Sequence, residues 1–266
     1  MHSSVTELFD ALWRDYLDLT PSALKIHKLL GKGEAILNDH VAFRTFNHPK
    51  VNLDKLAAHF LALGYEQKGE YHFKAKKLYA RHYEHQTDRQ APKVFISELL
   101  LEQCSHGLQA IVAGMLDQVD ERLSGQTGFL YSGAPWKVSH QDYKTLLEES
   151  EYAAWLAAYG YRANHFTVSV NELSGFDTLQ EVNSTLKDAG YRLNTSGGEI
   201  KGSPEVLLEQ SSTMADTAIV EFSDGKAELP SCFYEFALRY AKPDGSLYTG
   251  FVAASADKIF ESTNVG

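Results

Sequence analysis

Asn38-Asp39-His40-Val41-Ala42-Phe43-Arg44 and Ala163-Asn164-His165-Phe166-Thr167-Val168 decide how this chain is read. Each is a short run rich in β-formers, and each carries one imidazole. The same order of elements follows both. After His40, the residues Leu53, Leu56, Ala57, Phe60 and Leu63 recur at helical spacing, and Gly64 closes that helix. Strands are expected at 71–76, 78–85 and 94–101. After His165, Phe176, Leu179, Val182, Leu186 and Ala189 give a helix closed by Gly190, with strands near 191–194, 205–211, 217–222 and 231–239. His40 and Gly64 are 24 residues apart, and His165 and Gly190 are 25. Near-equal spacing with a shared order of elements marks a duplication. The fold class is therefore α+β, built from two β-α-β-β-β modules with N-terminal and inter-module helices.

Working outward, Ser4-x-x-Glu7 has the form of a capping box ahead of Val5, Leu8, Phe9, Leu12 and Tyr16, so a helix is expected over 4–19. Pro21 suits the first turn of a second helix, which Gly31 and Gly33 end. Between the modules, Leu108, Ile111, Val112, Met115, Leu116 and Val119 form one amphipathic face, and Tyr143, Leu146, Leu147, Trp155 and Leu156 form another. The divisions are N-terminal helices over 1–36, a first module over 37–103, a helical connection over 104–160, a second module over 161–241 and a tail over 242–266, all in one compact unit. A short strand at 248–252 and a helix near 257–261 are expected in the tail.

Composition bounds the partners. A hydrophobic share of 44% with 23% charged residues is ordinary for a soluble globular chain. A net charge of -10 opposes binding to nucleic acid or to an anionic membrane, because phosphates need a basic face. Cys104 and Cys232 lie in unrelated contexts, which points to a reducing compartment, and no basic-then-apolar leader opens the chain. A cytoplasmic protein acting on a small molecule is expected.

A third group completes a ligand set. Phe233-Tyr234-Glu235-Phe236-Ala237 sets a carboxylate in a strand-like apolar run, where an unpaired charge is costly and a cation removes the cost. Two imidazoles and one carboxylate hold a divalent metal on one face and leave the opposite positions open. If the three meet in space, the protein is a metalloenzyme. Residues two or four apart on a strand share a face, so His40 points with Arg44, and His165 with Thr167. By position along its strand, Glu98 is the first module's counterpart of Glu235, and it is left out of the metal set because a fourth ligand closes a position. Gln210 and Ser212, on an inner strand, are candidates for substrate oxygens. Against these stand structural roles: a salt bridge from Glu235 to Arg239, and an Arg44 that only neutralises a buried acid. His72, His82 and His85 lie among Lys74, Lys76, Lys77 and Arg81 and read as a solvated hairpin.

The three motifs around His40, His165 and Glu235 resemble those of the 2-oxoadipate dioxygenase/decarboxylase family, from about residue 5 onward. That resemblance implies a fold similar to the vicinal oxygen chelate superfamily. It implies that His40, His165 and Glu235 bind Fe(II), with zinc or another divalent metal able to take the same place. It implies that Arg44 meets a substrate carboxylate, and that 2-oxoadipate and O2 become 2-hydroxyglutarate and CO2. The characterised bacterial members carry additional C-terminal sequence. Two rival readings use the same residues: a zinc-dependent hydrolase or glyoxalase-type isomerase or lyase, and a metal-free module that sequesters a small ligand.

Overall fold

The computed structural model describes residues 1–263; the last three positions of the 242–266 tail lie outside the described residues. Two helices lead. The first, α1 (Val5–Leu19), buries Leu8, Leu12 and Tyr16 along one stripe and is capped by the Ser4 hydroxyl, which accepts from the Glu7 amide. The box is only half formed, because the Glu7 carboxylate reaches Ser3 instead. The second, α2 (Pro21–Gly31), starts on its proline and ends as Lys32 turns left-handed.

The first module runs β1 (Asn38–Phe46), α3 (Leu53–Leu61), β2 (Tyr65–Phe73), β3 (Leu78–His85) and β4 (Lys93–Leu99). Helices α4 (His106–Leu116), α5 (His140–Glu149) and α6 (Glu151–Tyr159) connect it to the second module. There β5 (Ala163–Ser169), α7 (Leu179–Asp188), β6 (Lys201–Ser203) and β7 (Leu208–Ser212) precede a hairpin, β8 (Thr217–Phe222) with β9 (Gly225–Pro230), and the module ends in β10 (Phe233–Arg239). Helix α8 (Ala253–Ile259) follows, continued by a 3-10 turn over Phe260–Thr263.

Both modules join in one curled sheet of eight strands, ordered β2-β3-β4-β1-β5-β10-β7-β6. The order reads alike from either end. The two central strands are antiparallel, while β1 with β4 and β5 with β10 are parallel. Residues equivalent across the central pair therefore exchange under an approximate two-fold axis: His40 lies opposite Thr167, and His165 opposite Ala42. Smaller features repeat as well. A 3-10 turn ending in a left-handed residue, Lys77 in one half and Leu207 in the other, leads into β3 and β7.

The strands β1, β5 and β10 are buried on both faces, which is why they lack clean alternation in the sequence. One face packs on helices: Trp13 and Tyr16 of α1 meet Phe166 and Tyr234, and Phe60 of α3 meets Phe43. The other face carries the candidate ligands. Three expectations are corrected. Residues 191–194 form no strand, only a bridge from Leu193 to Thr213. The expected strand at 217–222 pairs with β9 outside the main sheet. The stretch 248–252 is an irregular segment that lies against the sheet, fixed by Arg239.

Candidate metal centre

His40 of β1, His165 of β5 and Glu235 of β10 meet on the buried face, with one ligand atom from each lying within 4.8 Å of the others. The sheet explains the convergence. His165 and Phe233 are register partners on parallel strands, so Glu235, two residues further, projects from the same face beside Thr167. His165 Nε2 lies 3.1 Å from Glu235 Oε2, and His40 Nε2 lies 3.6 Å from Oε1.

The backs of the two rings are held in matching ways. His40 Nδ1 donates to Asp39 Oδ1 at 2.8 Å, and His165 Nδ1 donates to Asn164 Oδ1 at 3.1 Å. A residue next to its partner on a flat strand points to the opposite face. Here the β1–β5 ladder skips Asp39 on one strand and Asn164 on the other, and each bulge turns that side chain toward the following imidazole. The sequence held the signal, an Asp or Asn directly before each histidine, but not its meaning.

These contacts test whether the residues suit a cation. A carboxylate only accepts, so the Asp39 bond puts a proton on Nδ1 of His40 and turns Nε2, 3.1 Å from the Thr167 hydroxyl, toward the centre. Burial pushes the His165 imidazole below its ordinary value, against the pull of the Glu235 carboxylate beside its Nε2. Burial pulls the Glu235 carboxyl upward, but His40, His165 and a 2.6 Å hydrogen bond from Gln210 Nε2 outweigh it, so the group is held low and ionised. Glu235 Oε2 has no hydrogen-bond donor. Two imidazole nitrogens and a carboxylate oxygen therefore converge on one buried point, an arrangement that a divalent metal satisfies.

The first module's place for a second carboxylate is not filled by Glu98. Register sets Phe95 opposite Ala42 just as Glu235 lies opposite Thr167, so the counterpart of Glu235 is Phe95. Glu98 instead accepts from the Leu53 amide at the start of α3, at 2.9 Å. Phe95 lines the small cavity over the ligands with Phe251, Ala256, Ile259 and Phe260. The tail thus supplies a cover that local sequence patterns did not show, and it is anchored by Asn194, whose Nδ2 donates to Lys258 O and Ser262 Oγ, both at 2.9 Å.

The remaining candidates separate. Gln210 touches the ligand carboxylate, whereas Ser212 bonds Ser262 of the cover at 2.8 Å. Arg44 is buried among the rings of Tyr152, Trp155 and Phe260, and its NH1 reaches Glu151 at 3.0 Å. Its NH2 donates to Thr263, and its Nε has no partner. Arg239 does not pair with Glu235 but grips Asp39. His82 is buried rather than solvated, held between the Tyr71 hydroxyl and Glu84.

Comparison with known proteins agrees with this geometry. The family model for 2-oxoadipate dioxygenase/decarboxylase matches residues 3–127 and 126–245. A crystal structure from Shewanella frigidimarina NCIMB 400, provisionally named a hydrolase, has 59% identity and a TM-score of 0.93, covering 96% of this chain and 100% of that one. Hydroxyglutarate synthase from Oryza sativa, solved in complex with 2-oxoadipate, has 34% identity and a TM-score of 0.89 over 97% of this chain and 91% of that one. The curated 2-oxoadipate dioxygenase/decarboxylase of Oryza sativa subsp. japonica is 36% identical, over 94% of this chain and 76% of its own length. A glyoxalase-superfamily structure from Ralstonia eutropha JMP134, at 22% identity and a TM-score of 0.77 over 94% of this chain and 86% of that one, shares the fold. With both of its halves matched by the family model and its three motifs gathered at one centre, the chain is an enzyme that belongs to the 2-oxoadipate dioxygenase/decarboxylase family.

Proposed function

We propose that this protein binds Fe(II) through His40, His165 and Glu235 and converts 2-oxoadipate and O2 into 2-hydroxyglutarate and CO2. The observation that carries the reading is a three-ligand centre whose fourth, symmetry-related place is taken by Phe95, in a member of this family. Bound iron supplies the electrons and the oxygen binding that no side chain provides.

The chain's own residues do the rest. Gln210 holds one oxygen of Glu235, leaving the other for the metal. Phe95, Phe251, Ile259 and Phe260 line the cavity with hydrocarbon, which excludes water from the oxidant. Arg44 lies four residues along β1 from His40 and takes the substrate's far carboxylate. Its Nε is a donor without a partner, and the Glu151 carboxylate on NH1 marks the kind of group to which the guanidinium donates. Ser212, tied to Ser262, acts by holding the cover. A cytoplasmic location, supported by two free buried thiols, goes with this reading.

An oxygen electrode, run on Fe(II)-loaded protein across 2-oxo acids of increasing chain length, tests the proposal. Oxygen uptake matched to CO2 release, strongest with 2-oxoadipate, is the expected result. Arg44→Ala is expected to retain the metal and raise KM for 2-oxoadipate by about tenfold or more, the loss of a charge-assisted hydrogen bond of about 1.5–3 kcal/mol. Turnover with Zn(II) under anaerobic conditions would instead establish a hydrolytic or isomerising site.

A further inference from the structure

We infer that Arg239 is a positioning residue for the metal, acting through Asp39 on the ring of His40; the inference rests on the metal-binding reading above. Arg239 Nε donates to Asp39 Oδ2 at 2.6 Å and NH2 donates to Oδ1 at 2.8 Å, a two-pronged grip on one carboxylate. The same Oδ1 accepts from His40 Nδ1. The carboxylate cannot rotate without releasing the guanidinium, so the direction of the His40 ring is set from 200 residues away along the chain.

Arg239 also fixes the front of that ring. Its NH1 donates to Tyr248 O at 3.1 Å and Gly250 O at 2.7 Å, and its guanidinium lies 5.2 Å from the centre of the Phe251 ring. Phe251 in turn meets His40 edge-on at 4.8 Å. One side chain therefore sets both the hydrogen bond behind the imidazole and the apolar wall against it. All of its nitrogens are used, and both members of the ion pair are buried.

The internal symmetry makes the assignment specific. In the first module, counting along β4 and β10 by register, the place of Arg239 is taken by Leu99. On the other imidazole the place of Asp39 is taken by the neutral Asn164. His40 is therefore backed by a clamped anion, and His165 by a neutral amide whose Nδ2 has no hydrogen-bond partner among the described residues. A role limited to folding has no need of this difference. An anion behind an imidazole makes it a stronger metal ligand.

The test is a Co(II) titration of metal-stripped protein, followed by the d–d absorption of bound cobalt, with circular dichroism confirming the fold. Arg239→Gln and Asp39→Asn are each expected to weaken Co(II) binding about 10- to 100-fold and to shift the absorption band. Their combination is expected to weaken it little further, because both cut one path. Arg239→Lys is expected to recover part of the loss. Folded Arg239→Gln protein with affinity within twofold of the parent and an unchanged band overturns the inference. If Arg239→Gln does not fold, the same outcome in Asp39→Asn, which keeps the side-chain volume, overturns it equally. His40→Ala separates the two readings. If it too retains cobalt, the metal assignment has failed; if it alone loses cobalt, only the role of Arg239 has.

Discussion

Phe95 shows how one residue sets what a centre does. The two halves of the sheet offer two pairs of equivalent places around the two-fold axis, one holding His40 and His165 and the other Glu235 and Phe95. A phenyl ring in the fourth place offers no ligand atom, so on the proposed reading a bound metal would keep its remaining positions for ligands from outside. Phe95→Glu is therefore expected to retain or tighten metal binding while oxygen consumption falls by 100-fold or more, roughly 2.7 kcal/mol at the transition state. Metal analysis beside an oxygen-electrode rate checks both halves of that statement, and a rate near the parent's would remove the claim that Phe95 keeps a position open. The three converging residues were legible in the sequence because strand-like surroundings singled them out and matched spacing related the two histidines. Phe95 was not, because its equivalence with Glu235 depends on cross-strand register, and counting along one strand led to Glu98 instead. Arg44 was read as sharing a face with His40 and gripping a carboxylate or neutralising a buried acid, while its partner Glu151, 107 residues away, was not legible.

At the scale of elements, the modules were readable from periodicity and closing glycines, and the departures have physical causes. The bulges at Asp39 and Asn164 are relations between two strands, invisible in either one. The hairpin β8–β9 has ordinary strand composition, and nothing local says which sheet it joins. Helix α8 is short, and its place over the ligands depends on distant anchors. Asn194 is chief among these, since its amide holds both Lys258 O and Ser262 Oγ. Asn194→Ala is expected to cost about 1–3 kcal/mol and to speed amide exchange in 253–263 ahead of the central strands. Exchange mapped by mass spectrometry decides this, and uniform acceleration across the sheet would contradict it.

For the whole molecule, pH acts through two carboxylates shifted in opposite directions, the half-buried Asp15 and the buried Asp39. Burial raises Asp15 to about 6, outweighing the pull of Arg162. Its folded value exceeds the unfolded one, so its contribution is fully present below about pH 4 and is lost as pH rises toward 6. Asp39 is the reverse. Burial alone would raise it, but Arg239 and Lys93 hold it well below the usual carboxylate range, so its contribution is present at neutral pH and is lost on strong acidification. Asp15→Asn is expected to stabilise the protein above pH 6 by about 1–3 kcal/mol and to do little near pH 4. Urea unfolding at the two pH values measures the difference, and an equal effect at both would refute the assignment.

The near-mirrored strand order carries a consequence for ancestry. A half-length chain associating with a second copy of itself through its first strand would bring two identical imidazoles to the shared axis. Whatever stood beside one would also stand beside the other. Only after fusion of the copies into a single gene product can Glu235 face Phe95 and Asp39 face Asn164. Tandem joining thus released each half from the obligation to match its twin, and a lopsided centre with one vacant flank became reachable by ordinary point substitution.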